Sequence, residues 1–264
     1  MRDQYVMKTL LRHIRIAIVI LSSSVASAQE FTTANVFAHN DYAGDKPFHM
    51  AYDLRVGYIE ADVFLVDDDL MVAHERGEIR PERTLEELYL RPLNSHILKN
   101  NGFAYEDEKH ALTLMIDLKT PGFATLDALV ACLKKYPDLL SSQTLQIMIS
   151  GNVPDPKLWK NFPSFIHFDG RPGIEYTPDQ LARISMISTN FRSHVQWDGE
   201  GTLPAQARAT MSELMKTAHS HGKKFRFWAT PDFPNAWKEL MRAEVDVIAT
   251  DKVPELVEFL RSQQ

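Results

Sequence analysis

His39-Asn40, the acids Glu60 and Asp62, His74, and the acid–lysine pair Asp117 and Lys119 each stand at or just past the end of an apolar run. Ionisable groups are costly inside an apolar strand unless something compensates them. Their repeated placement at such ends points to one convergent site. The residue types state its chemistry. Two imidazoles titrate near neutrality, so one can take a proton while the other gives one. Carboxylates are all-oxygen ligands, which suit Mg²⁺ or Ca²⁺ rather than zinc. A lysine is a point charge for a phosphate oxygen as negative charge builds up.

Period-two alternation puts Glu60 and Asp62 on one face of a strand. Two carboxylates sharing an inward face repel and take up protons unless a cation sits between them. The bland alternative is a solvated strand end. Asp117, two residues before Lys119 on another strand end, favours the metal reading. Four further residues are candidate substrate contacts: Asn40, Asn152, Arg171 and Trp228. Asn152 either donates an amide to substrate or caps a helix at Pro154. Arg171 either meets phosphate or pairs with Asp169. Trp228 either flanks a cationic head group or fills the core.

The elements that must carry these residues alternate. Short apolar or β-branched runs lie near 35–38, 58–65, 112–116, 145–149, 165–168, 184–188, 224–228 and 245–249. Helix-like segments separate most of them, at 124–135, 205–221, 234–243 and 254–262. Thr84-Leu85-Glu86-Glu87 and Thr177-Pro178-Asp179-Gln180 read as capping boxes. Val63–Val72 reads as a hairpin turning at Asp67-Asp68-Asp69. The stretch 90–111 reads as irregular. Eight strands alternating with helices predict an α/β fold, a single-domain (β/α)8 TIM barrel, with an open α/β sheet as the alternative. In such a barrel the active site is built at the C-terminal strand ends. The ends here carry His39-Asn40, Glu60-Asp62, Asp117-Lys119, Ser150-Asn152, Asp169-Arg171, Asn190, Trp228 and Thr250-Asp251.

Composition narrows the classes. The 264 residues hold 29 Lys and Arg against 35 Asp and Glu. Residues 1–28 account for four of the bases and one of the acids, so the remainder carries 25 against 34, a net of −9. An acidic chain is not a nucleic-acid backbone binder. Lys8, Arg12 and Arg15 precede an apolar stretch from Ile16 to Leu21, and Ala26-Ser27-Ala28 follows. That pattern predicts a signal peptide over 1–28, a domain over 29–264, and a secreted or periplasmic protein. The apolar stretch is too short to span about 30 Å of hydrocarbon, so no stable membrane anchor is expected. Cys132 is the single cysteine. The core must hold without an internal disulfide, and Cys132 reads as a small buried residue. No G-x-S-x-G or P-loop is present.

A-H-N-D-Y at 38–42, I-E-A-D-V at 59–63, V-A-H-E at 72–75 and I-D-L-K-T at 116–120 together resemble the glycerophosphodiester phosphodiesterase superfamily. L-E-E-L-Y-L-R-P-L at 85–93, S-G-N at 150–152 and F-D-G-R at 168–171 are similar to its branch of fungal "altered inheritance of mitochondria" proteins. The D-L-K-T stretch is also similar to sphingomyelinase D. The resemblance implies a TIM barrel, His39 and His74 as the acid–base pair, Glu60, Asp62 and Asp117 as ligands of a divalent metal, Mg²⁺ or Ca²⁺, and Lys119 as the phosphate contact. Two features depart from the pattern. The usual H-R-G opening is H-N-D here, and the large insertion after the second histidine is reduced.

The expectation is therefore an exported, metal-dependent phosphoric diester hydrolase of lipid metabolism. It would act on a small-molecule or lipid phosphodiester of the glycerophosphodiester or lysophospholipid type. The alternative is a barrel that binds phosphate or lipid head groups without turnover.

Overall fold

The computed structural model describes residues 30–263. The signal peptide expected over 1–28 lies outside them. Nine strands form one sheet: β1 Val36–Ala38, β2 Tyr58–Val66, β3 Asp69–Val72, β4 Leu112–Leu118, β5 Leu145–Gly151, β6 Ile166–Gly170, β7 Ile184–Asn190, β8 Lys224–Trp228 and β9 Ile248–Thr250. Eight of them are parallel neighbours in the order β8-β7-β6-β5-β4-β2-β1-β9. One parallel bridge, Arg226 to Val247, brings the last strand round to the first and closes a (β/α)8 barrel. Each of the eight apolar runs read from the sequence becomes a barrel strand.

The hairpin forms as expected, with β3 antiparallel to β2. Its turn is tighter than the sequence suggested, because Asp69 already belongs to β3. Asp67 and Asp68 take φ of 46° and 71°. A two-residue turn of this hand needs left-handed backbone at both central positions, which aspartate tolerates.

Helices cover Gly122–Leu133, Ala205–Ser220, Pro234–Arg242 and Val253–Ser262, close to their expected places. The capping box at Thr177 is complete. At Thr84 only half of it forms: the hydroxyl accepts from the Glu87 N–H at 3.1 Å, while the Glu87 carboxylate turns to Arg91 at 2.5 Å. The stretch 90–111 is less irregular than its sequence suggests. Arg91–Lys99 is α-helical and continues directly from a π-helical turn over Glu86–Leu90, with Pro92 just past the junction. Leu93 and Ile97, four residues apart, bury one face. Cys132 is only half-buried, and its thiol lies 3.6 Å from Glu86.

Inside the barrel, Phe37, Tyr58, Met115, Met148, Met186, Val247 and Ala249 pack into one buried cluster. Alternation along each strand then places Glu60, Asp117 and Ser150 one step above it. Three methionines adapt to the irregular taper and give the site a dry floor. The larger apolar core lies outside, between strands and helices.

The loop after β1 is anchored by Asp41, the acid of H-N-D. Its Oδ2 accepts the Phe48 N–H at 2.5 Å and the Tyr89 hydroxyl at 2.9 Å, and the residue is buried. Asp41→Ala leaves two buried donors without a partner. It should lower stability by roughly 2–4 kcal/mol, measured by urea unfolding, with Asp41→Asn costing less because it keeps an acceptor.

Candidate active site

A cleft of about 430 Å³ opens at the C-terminal end of the barrel. His39, Asn40, Glu60, Asp62, His74, Asp117, Lys119, Asn152, Arg171 and Trp228 all line it. Those are the residues nominated from the sequence, and strand register explains their meeting. In the parallel pairing of β2 with β4, Asp62 is the direct partner of Asp117. In the next pairing Asp117 faces Ser150.

Glu60, Asp62 and Asp117 offer carboxylate oxygens within 4.8 Å of one another. Burial pushes the Glu60 carboxyl above its ordinary range, and neighbouring Asp62 and Asp117 push the same way against His39 and Arg226. Burial also raises Asp62, although Tyr42 and Lys119 partly oppose it. Buried acids held this close are stabilised as anions by a cation. All-oxygen donors of this kind fit a hard divalent ion, and these three residues would hold it. Within the protein the nearest cation is Lys119. Its ammonium lies 2.8 Å from Asp117 and 3.0 Å from Asp62. Burial alone would lower its pKa, but the two carboxylates outweigh burial and raise it.

Gly151 makes this arrangement possible. Its φ is +72°, and a Cβ there would come within 2.5 Å of Asp117 Oδ1 and 2.6 Å of the Leu118 carbonyl. A side chain would both strain the backbone and displace a candidate ligand.

The histidines face the acids from different sides. His39 Nδ1 lies 2.7 Å from Asp251 Oδ1, and Nε2 lies 3.7 Å from Glu60. A carboxylate at Nδ1 fixes the proton there and leaves Nε2 for a reacting group. His74 Nδ1 lies 3.3 Å from Asp62 and 3.0 Å from the Tyr42 hydroxyl. That hydroxyl is 2.6 Å from both Asp62 Oδ2 and Asn40 Oδ1. Burial and the Asp62 carboxylate push the Tyr42 phenol far above its ordinary range, so it stays a donor.

Beneath Arg171 lies a buried polar knot. Asp169 Oδ2 takes Arg171 Nη1 at 2.7 Å, the Ser188 hydroxyl at 2.7 Å and the Ser150 hydroxyl at 3.0 Å. Arg171 therefore does pair with Asp169, and its guanidinium also borders the cleft. Asn152 does not cap the following helix. Asp155 does, accepting from Lys157 N–H. Trp228 is 36 % exposed at the cleft, not a core residue.

Three contributors carried no role in the sequence reading: Tyr42, Asp251 and Arg226. Arg226 is 3 % exposed and lies with its guanidinium 4.0 Å from the Phe37 ring centroid. Its Nη2 is 3.8 Å from Asp169, while Nε and Nη1 have no partner among the described residues. Its signal was an arginine in mid-strand, between Phe225 and Phe227. Asp251 stood at a strand end, and Tyr42 closes the A-H-N-D-Y run.

A model of the AIM6-like phosphodiesterase domain matches residues 26–140, and one of the glycerophosphoryl diester phosphodiesterase family matches residues 224–254. These matches support the glycerophosphodiester phosphodiesterase superfamily. Within it the similarity is to the AIM6 branch. Altered inheritance of mitochondria protein 6 homolog of Arthroderma benhamiae is 27 % identical over 83 % of this chain and 81 % of its own length. Altered inheritance of mitochondria protein 6 of Eremothecium gossypii is 24 % identical over 85 % of this chain and 69 % of its own length. A crystal structure of a glycerophosphodiester phosphodiesterase from Parabacteroides distasonis superposes with a TM-score of 0.54. It is 17 % identical, and the match covers 87 % of this chain and 97 % of that one. That likeness shows the barrel fold.

The His39–Asp251 pair sets a pH window for the site. Burial works to lower the His39 pKa, but the Asp251 hydrogen bond and the Glu60 and Asp251 charges outweigh it and raise it above 6.5. The same hydrogen bond lowers Asp251 below 3.8. The stability His39 contributes is thus full below about pH 6.5 and fades as pH rises through its raised value. The part due to Asp251 is present above its ordinary value and fades as pH falls through its lowered one. Asp251→Asn should move the His39 titration to lower pH, followed by the ring proton resonances in NMR. An unmoved His39 would show that the pair does not form.

Proposed function

We propose that the chain is an exported, metal-dependent phosphodiester hydrolase acting on glycerophosphodiester or lysophospholipid-type substrates. One observation carries the reading: three carboxylates converge within 4.8 Å, in a cleft that also holds two histidines and a lysine. Similarity to the superfamily supports the reaction class. The leader-like pattern of residues 1–28 supports export.

The chain's own groups divide the work. A divalent ion held by Glu60, Asp62 and Asp117 would supply positive charge to a phosphate oxygen as a Lewis acid. Lys119 and Arg171 bring fixed positive charge to the same anion. His39 Nε2 takes the proton of the attacking hydroxyl, and Asp251 stabilises the imidazolium so formed. His74 delivers a proton to the departing alcohol oxygen. Tyr42 holds the His74 ring by Nδ1, which leaves Nε2 for that task. A hydroxyl beside the phosphate of the substrate is already in position, so intramolecular attack gains from proximity. The new bond joins that hydroxyl oxygen to phosphorus, the bond to the departing alcohol breaks, and a cyclic phosphate remains.

A second reading, a barrel that binds phosphodiester head groups without turnover, also has an observation in its favour. Lys119 already bridges Asp62 and Asp117, so two of the three acids are partnered without a metal. The same assays separate the two readings.

Turnover of a phosphodiester panel with Mg²⁺ or Ca²⁺ should be abolished by exhaustive chelation. Asp62→Asn should fold normally, bind the ion weakly in calorimetry and lose most activity. Undiminished turnover after chelation would overturn the metal assignment.

His39→Ala and His74→Ala should each cost about a hundredfold or more in kcat/KM, and the wild-type profile should be bell-shaped in pH. Phosphorus NMR should show a cyclic phosphate before any monoester. Incorporation of solvent oxygen in the first step would point instead to direct attack by water.

A further inference from the structure

Beyond His74 lies a second chamber of about 520 Å³. It shares Asn40 and His74 with the catalytic cleft. Its own walls include Tyr42, Val72, Ala73, Glu78 and Arg83. The acids line the cleft that runs toward Asn152 and Trp228, and the second space lies past Asn40 and His74. A phosphodiester carries two substituents, and a site with two outlets can hold both. His74 borders both spaces, with Nδ1 turned to Tyr42 and Asp62. On the hydrolase reading His74 protonates the departing alcohol, so a substituent passing into the second chamber would be that alcohol.

The chamber walls carry two opposite charges. Glu78 is exposed, and its Oε2 accepts only the Glu75 backbone N–H, at 3.1 Å. Arg83 is half-buried and gives one nitrogen to the Tyr42 carbonyl. Neither has an ion-pair partner among the described residues. The two other arginines of this loop point elsewhere. Arg76 lies over the Phe64 ring at 5.8 Å, and Arg80 donates to the Ile79 carbonyl at 3.0 Å and the Gly77 carbonyl at 3.5 Å. A carboxylate and a guanidinium that border one chamber without pairing with each other complement a ligand bearing both signs. A lone guanidinium matches a carboxylate by its planar fork, and a lone carboxylate matches an ammonium.

We propose that this chamber binds the departing alcohol of the diester, and that this alcohol is a small amino acid of the serine type. Its ammonium faces Glu78 and its carboxylate faces Arg83. This rests on the hydrolase reading above and adds the head group to it. With glycerophosphoserine, a glycerol hydroxyl attacks phosphorus, the bond from phosphorus to the serine oxygen breaks, and that oxygen takes the His74 proton. The products are cyclic glycerophosphate and serine.

The test compares kcat/KM for glycerophosphoserine, glycerophosphoethanolamine, glycerophosphocholine and bis(glycero)phosphate, with the metal present. The serine diester should exceed the glycerol diester by about tenfold or more, since each charged contact contributes on that scale. Glu78→Gln should remove the advantage of the serine and ethanolamine diesters over the glycerol diester. Arg83→Gln should reduce the serine diester to the level of the ethanolamine one, and Arg83→Lys should restore part of the difference. Equal values across the four head groups, or variants that slow all four alike, would overturn the proposal while leaving the hydrolase reading intact. A second arm needs no turnover. Calorimetry on the chelated protein should show phosphoserine binding more tightly than phosphoethanolamine, with the difference lost in Arg83→Gln. If no diester is cleaved, the hydrolase reading falls and this arm alone decides the chamber's ligand, equal binding of the two overturning it.

Discussion

Two aspartates directly opposite each other across a parallel strand pair, inside a barrel, form a charge problem that must be solved locally. Asp62 and Asp117 occupy that position, with Glu60 one inward step below Asp62 on the same strand. Water alone is a poor solution, because Glu60 and Asp62 are buried above a methionine-rich floor. Protonation would solve it but would remove the ligands. A cation solves it and keeps them, and much of the surrounding structure follows from that requirement. Lys119 reaches back onto both aspartates. Tyr42 donates into Asp62. Arg226 lies in the barrel interior with its charge drawing Glu60 toward the ionised form.

The supports around that core are specific to shape as well as charge. Asp117 keeps its place only because position 151 has no side chain. The first loop keeps Asn40 and Tyr42 over the acids because Asp41 ties it to Tyr89 and to the Phe48 backbone. Asn40 itself takes φ of 49°, a left-handed conformation that asparagine tolerates better than most residues. An arginine at that position, as in the usual H-R-G opening, would enter the same strained backbone. Positive charge instead comes from β8 and from the end of β6. Both arginines converge on Asp169, which steadies them but also draws off part of their field.

Much of this was readable from sequence because strands announce themselves by short apolar runs and barrel sites by polar residues at their ends. The acids, the histidines and Lys119 obey that rule, and all of them border one cleft. Residues that break or bypass the rule were the ones missed. Arg226 lies in mid-strand, where burial between phenylalanines gave no hint of a polar partner. Asp251 stands in the right place, but its value depends on contact with His39, 212 positions earlier in the chain. No local pattern reports such a contact. Asn152 had two local readings, and only the fold separates them: Asp155 caps the following helix and Asn152 borders the cleft. The helix over Arg91–Lys99 was obscured by a proline that stands just past its junction with the π-helical turn Glu86–Leu90.

The barrel wall is not equally strong all the way round. Seven junctions are laddered strand pairs, whereas β8 and β9 meet through a single bridge at Arg226 and Val247. A side chain reinforces that junction: Asp246 accepts the Phe225 N–H at 2.8 Å and holds His219 at 2.7 Å. The seam runs between the strand bearing Arg226 and Trp228 and the strand leading to Asp251. A junction with so few backbone bonds is where a closed cylinder breathes at least cost. Such breathing would widen the mouth between the tryptophan and the His39 dyad while leaving the paired aspartates on β2 and β4, across the barrel, in register. The fold thus separates a laddered wall that carries the paired aspartates from a more compliant one beside the tryptophan.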